Sequence, residues 1–125
     1  MGDENAVARL REICLSLPEA VEKPFGGHTA PSFRIGDKLF AMTSEDGRSL
    51  TFKAGPGVQQ ALVASDPERF FVPPYVGPKG WVGARLDAAQ DWAEIAELVE
   101  DSYRMIAPKR LLGQLDRRRA GDAEN

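Results

Sequence analysis

The sequence predicts an α+β fold: a two-layer domain in which an antiparallel sheet packs its helices on one face. Three observations predict it. Apolar and polar residues alternate over 32–53 and again over 81–86, the period of a half-buried strand. Apolar residues recur at helical spacing over 7–17 and 92–106. The elements also come as helix, three strands, helix, one or two strands, helix, which is not the strict alternation that builds a parallel sheet.

The first helix carries Val7, Leu10, Ile13, Cys14 and Leu17 on one stripe and ends at Pro18. Asp3 and Glu4 put negative charge at its N-terminus, where the helix dipole favours it. Residues 18–31 hold Pro18, Pro24, Gly26, Gly27 and Pro31 and read as a loop that delivers Phe25 and His28.

Strands are expected at Ser32–Ile35 and Lys38–Thr43, joined by a tight Gly36-Asp37 turn. That turn pairs Ile35 with Lys38 and Phe33 with Phe40. It places Phe33, Ile35, Phe40 and Met42 on one face, and Arg34, Leu39, Ala41 and Thr43 on the other. Asp46-Gly47 turns the chain into a third strand, Arg48–Lys53, with Leu50 and Phe52 inward and Ser49, Thr51 and Lys53 outward.

Gly55-Pro56 opens a short helix with Val58, Ala61 and Leu62. Phe70, Phe71 and Val72 run into Pro73-Pro74, and Tyr75–Gly80 is a Gly/Pro loop. The last strand, Trp81–Leu86, sends Val82, Ala84 and Leu86 inward and Trp81, Gly83 and Arg85 outward. The long helix from Ala88 to Ile106 buries Trp92, Ile95, Ala96, Val99, Tyr103 and Ile106, and Pro108 interrupts it. Ser102 is expected at the surface. The domain is expected to close at residue 112, leaving 113–125 as a flexible tail, basic and then polar, with Arg117, Arg118 and Arg119.

Composition narrows the function. The chain has 125 residues, enough for one domain with its own core. Sixteen Lys and Arg against nineteen Asp and Glu give a net charge of −3. That balance disfavours a dedicated nucleic-acid binder, though a local basic stripe can act on an acidic protein. The single cysteine, Cys14, excludes an internal disulfide and suits a reducing cytoplasm. The N-terminus lacks the features of a secretory signal, and no apolar run approaches the ~20 residues that span a bilayer.

The face away from the helices is the informative one. It carries Arg34, Thr51, Lys53, Trp81 and Arg85 on neighbouring strands. Cations neutralise phosphates, and an exposed ring offers a base a stacking surface. Lys79, in the loop before Trp81, is placed to meet a phosphate. A solvated sheet face explains the same residues without a ligand. His28 is the sole histidine, and no nucleophile elbow accompanies it. Its expected role is a hydrogen bond that pins the loop, with ligand contact second. Metal-ligand sets, phosphate-cradling loops and dinucleotide fingerprints are absent from the sequence. No enzyme activity and no cofactor are expected.

Four segments resemble one family in order: LSLPEAVEKPFGGHTAPSFRIGDKLFAM (15–42), LTFKA (50–54), FFVPPYVGPKGWVGARL (70–86) and ELVEDSYRMIAPKRL (97–111). Together they are similar to the MmcQ/YjbR family over nearly the whole chain. The resemblance implies a two-layer α+β fold like that of secretion chaperones and frataxin-like domains. It also implies DNA binding through a double-wing surface. The matching positions are Pro18, Phe25, His28, Phe33, Lys38, Lys53, Trp81, Val82 and Tyr103. Gly27 and Thr29-Ala30 lengthen the segment around His28 relative to the family form.

The expected function is therefore a cytoplasmic DNA-binding module. Arg34, Lys38, Lys53, Lys79 and Arg85 contact phosphates, Trp81 stacks, and His28 lines the site. The rival is a non-enzymatic module that binds a small anionic ligand or a protein partner, with a pocket near Phe25, His28, Trp81 and Tyr103. No membrane partner is expected.

Overall fold

The computed structural model describes residues 2–24 and 30–124. Its elements are α1 (Gly2–Leu15), β1 (Val21–Pro24), β2 (Pro31–Ile35), β3 (Lys38–Thr43), β4 (Ser49–Phe52), α2 (Val58–Ser65), β5 (Phe70–Phe71), β6 (Val82–Arg85), α3 (Trp92–Ile106) and α4 (Lys109–Glu124). The six strands form one antiparallel sheet in the order β1-β2-β3-β4-β6-β5. The α+β class and the antiparallel sheet follow the sequence reading.

One face of the sheet carries the core. Phe33, Phe40, Leu50, Phe52, Phe70 and Val82 are buried there with Leu10 and Cys14 of α1 and Ile95, Val99 and Tyr103 of α3. The rings of Phe40 and Tyr103 meet edge to face, with centroids 5.8 Å apart. Such contacts add to the roughly 1.5–3 kcal/mol gained by burying each large apolar side chain. Asp91 caps α3, its carboxylate accepting from the backbone N–H groups of Ala93 and Glu94 at 3.1 and 3.2 Å. This satisfies two donors that the first turn leaves unpaired.

Four expectations are corrected. First, residues 21–24 are not loop but strand β1, paired with β2 from Val21 opposite Arg34 to Pro24 opposite Pro31. Second, β3 contains a bulge. Ile35 pairs with Lys38 and Arg34 with Leu39, but Phe33 lies opposite Ala41, so Phe40 is an extra residue. The bulge turns Phe40 and Ala41 toward the core together, both fully buried. Thr43 consequently faces the helices, and Met42 the opposite side, reversing the expected placement. Gly36 makes the preceding turn at φ 58.

Third, Ser102 is buried and not at the surface. Its hydroxyl donates to the Lys53 carbonyl and lies 3.0 Å from the Leu98 carbonyl. Fourth, residues 109–124 form a helix where a flexible tail was expected to begin at 113. Leu111 and Leu115 of α4 are buried in the core, one turn apart. Arginines fasten the rest. Arg110 forms a bidentate pair with Glu19 at 2.8 and 3.0 Å, and Arg104 bonds Asp116 at 2.8 Å. Arg118 donates to the Ser16 carbonyl at 2.7 Å, and Arg119 pairs with Glu100. Among the described residues, no helix is long and apolar enough to cross a membrane.

Candidate nucleic-acid interface

The strand register defines the sheet face opposite the helices. Its strand residues are Val21 and Lys23 of β1, Ser32 and Arg34 of β2, Leu39 and Met42 of β3, Ser49 and Thr51 of β4, Phe71 of β5, and Gly83 and Arg85 of β6. The charged members are Lys23, Arg34 and Arg85. No carboxylate is among them. Glu22 points the other way, held by Arg11 of α1 at 2.7 and 3.1 Å.

This face is partly roofed. Residues 73–76 lie beside Met42 and Thr51 on it, and the side chain of Gln59 holds the segment that follows. The amide of buried Gln59 donates to the carbonyls of Gly77 and Trp81 at 2.9 and 2.7 Å. Beneath the roof, the Phe71 ring lies against Gly83. A Cβ at residue 83 would come within 2.4 Å of the ring, so only glycine permits this approach. The Arg85 guanidinium then covers the outer face of the ring, 4.7 Å from its centroid.

Between roof and strands lies a cleft of about 440 Å³, lined by Ala30, Pro31, Met42, Pro74, Tyr75 and Val76 among others. A second depression of about 200 Å³ shares Met42 and Pro74–Val76 and extends to Thr51 and Phe71. Tyr75 stands at the rim of both, 94% exposed.

The predicted site residues separate into three groups. Lys53, at the end of β4, places its ammonium 5.6 Å from the Trp81 ring centroid. Arg34 lies at the same end of the sheet, opposite Leu39, and donates to the Asp37 carbonyl at 3.1 Å. Exposed Lys79 closes the Gly77–Lys79 turn just before Trp81. Arg85 sits at the other end of β6, opposite Ser49 and four residues beyond Trp81, about 13 Å along an extended chain. Lys38 shares the helix side with Ile35 and lines a cleft of about 480 Å³ with Glu19 and Arg110. His28 and Phe25 lie outside the described residues.

Trp81 requires a correction. It was expected to emerge from the sheet as a stacking ring, but it is 7% exposed, closed off beside Lys53. The expected pocket uniting Trp81 with Tyr103 is not formed either. Tyr103 is fully buried in the core beneath α3, whereas Trp81 lies outside that cluster. Lys23 and Tyr75 were missed. Lys23 lies in a strand without apolar alternation, and no sequence pattern distinguishes an exposed loop tyrosine from a packed one.

The YjbR family model matches residues 15–105 of this chain. The chain belongs to the YjbR family. The matched part of this YjbR domain runs from the end of α1 nearly to the end of α3, so α4 lies beyond it. Its fold is similar to the crystal structure of the Deinococcus radiodurans protein DR2400, which carries a DUF419 domain. The TM-score is 0.73 and the identity 25%, over 82% of this chain and 79% of that one. No curated protein matches the YjbR domain described here.

Proposed function

We propose that this domain binds DNA through phosphate contacts on the sheet face opposite its helices, and that it catalyses no reaction. The observation that carries the reading is the sign of charge on that face. Its strands contribute Lys23, Arg34 and Arg85, with Lys53 just beyond β4, and among the described residues the carboxylate beside them is Glu45, just beyond β3, which has a partner of its own. Cations thus outnumber acids on this face of a chain of net charge −3, which leaves a local surface that attracts polyanions.

The non-enzymatic part of the reading has its own support. Burial pushes the Cys14 thiol far above its ordinary value, which removes the thiolate that nucleophilic chemistry uses. A cytoplasmic location accords with this reduced thiol and with DNA as the ligand.

Titration of labelled DNA with the whole chain at 20–200 mM salt tests the proposal. About four neutralised phosphates give a slope of roughly −3 to −4 in log affinity against log salt. The double substitution Lys23→Glu and Arg85→Glu, at two exposed positions, should remove binding. Absence of binding to any DNA at 20 mM salt overturns the reading.

A further inference from the structure

We infer that the form of nucleic acid taken by this face is a single strand, with an unpaired base held at Tyr75. The inference rests on the phosphate-binding reading above and adds to it the conformation of the ligand. It starts from a backbone outlier. Tyr75 sits at φ 67, in the left-handed region that residues with a side chain rarely adopt. The same residue is 94% exposed, so its ring gives the core almost nothing in return. Strain of this kind clusters at functional sites, and the other residue here with a side chain at positive φ, Glu19, is held by its bidentate pair with Arg110.

The surroundings specify the occupant. The ring borders the 440 Å³ cleft, whose walls of Pro31, Met42, Pro74 and Val76 are apolar. That volume lies in the range of small-ligand sites, about 300–1,000 Å³. The flanks are cationic. Lys23 stands opposite Ser32 on one side, and Arg85 opposite Ser49 on the other. Four strand spacings separate β1 from β6, about 19 Å in all. A flexible anion lying across the strands thus meets a cation, an apolar cleft with an exposed ring at its rim, and a second cation. Among the described residues lining the cleft the carboxylate is Glu45, which already has a partner of its own.

Single-stranded nucleic acid has this pattern, with phosphates outside and a flat apolar base free to turn inward. Base-on-aromatic stacking with a cationic groove is the usual mode for unpaired strands. A duplex keeps its bases paired and stacked, so it meets the cations but leaves the ring and cleft unused.

The test compares a labelled single strand with the duplex of the same sequence, by anisotropy at low salt, using the whole chain. The single strand should bind more tightly. Tyr75→Ala should weaken single-strand binding by about 5- to 100-fold, the range of one base–aromatic stack, and leave duplex binding unchanged. Tyr75→Phe should retain it. Because Tyr75 is solvated, both variants should fold, which circular dichroism checks. Equal affinity for the two forms, with Tyr75→Ala silent in both, overturns the single-strand inference and leaves phosphate binding standing; the cleft then serves some other occupant, such as an apolar peptide. Failure of both forms to bind overturns the two together.

Discussion

The Tyr103 hydroxyl donates a hydrogen bond to the Pro18 carbonyl at 2.7 Å, joining positions 85 residues apart in the chain. Both residues are buried. Tyr103→Phe removes the donor and strands the carbonyl, so it should cost about 1–3 kcal/mol. Urea unfolding should show this as a lower midpoint at unchanged slope.

The same bond sets an alkaline limit. Burial pushes the Tyr103 hydroxyl above its ordinary value of 10.0, with the charge of Glu19 acting in the same direction. Between the unfolded and folded values the native state holds the proton and the unfolded chain does not. The contribution is therefore complete below about pH 10 and declines as pH rises through the folded value. Stability measured from pH 8 to 11 should fall less steeply in Tyr103→Phe than in the parent.

Gly83→Ala should displace the Phe71 ring. The added Cβ would stand 2.4–2.7 Å from three ring atoms, too close for any fixed arrangement. A cost of about 1–3 kcal/mol is expected. Because the three nearest atoms all belong to Phe71, Phe71→Ala in the same chain should relieve most of it. A double-mutant cycle with a coupling near zero would contradict this account.

Cys14 should resist thiol reagents in the native protein. It is fully buried, and burial raises its pKa, so both access and thiolate fraction are low. Labelling should proceed at the rate of global unfolding and should quicken with urea in step with it. Rapid labelling without denaturant would contradict the packing of α1.

Leu115→Ala tests whether α4 is part of the domain. Leu115 is 4% exposed, and truncating such a leucine costs about 2–5 kcal/mol. A flexible tail would show no change. The ion pairs of Arg104 and Arg110 lie in solvent, where water and salt screen them, so each contributes little. High salt should therefore loosen α4 modestly, seen as faster amide exchange within 109–124.

Much of the core was legible in the sequence because it obeys periodicity. Leu50 and Phe52 alternate as an inward pair, and Ile95, Val99 and Tyr103 recur along one helix face. The features that escaped are tertiary in origin. Val21–Pro24 has no alternation and exists as a strand because β2 offers it an edge. Trp81 has the parity of an outward residue, yet it is buried with the Lys53 ammonium over its ring. Leu111 and Leu115 are a correct helical pair, hidden by the polar residues and Gly113 around them. Of the candidate site, the cations Arg34, Lys53 and Arg85 were found on the expected face. Lys38, named as a phosphate contact, pairs with Ile35 as the turn predicts and so lies on the helix side. Tyr75 escaped because exposure is a property of the surrounding fold.

The bulge at Phe40 has a consequence for which side chains meet solvent. One supernumerary residue decides which half of β3 serves each surface of the sheet. If β3 instead ran straight, with Phe40 opposite Phe33, Met42 would rotate inward and Thr43 outward, dismantling the cleft floor while leaving the hairpin turn untouched. The recognition surface is in this sense phased by the backbone, and a one-residue slip of residues 41–43 against β2 should damage it more than most substitutions within it.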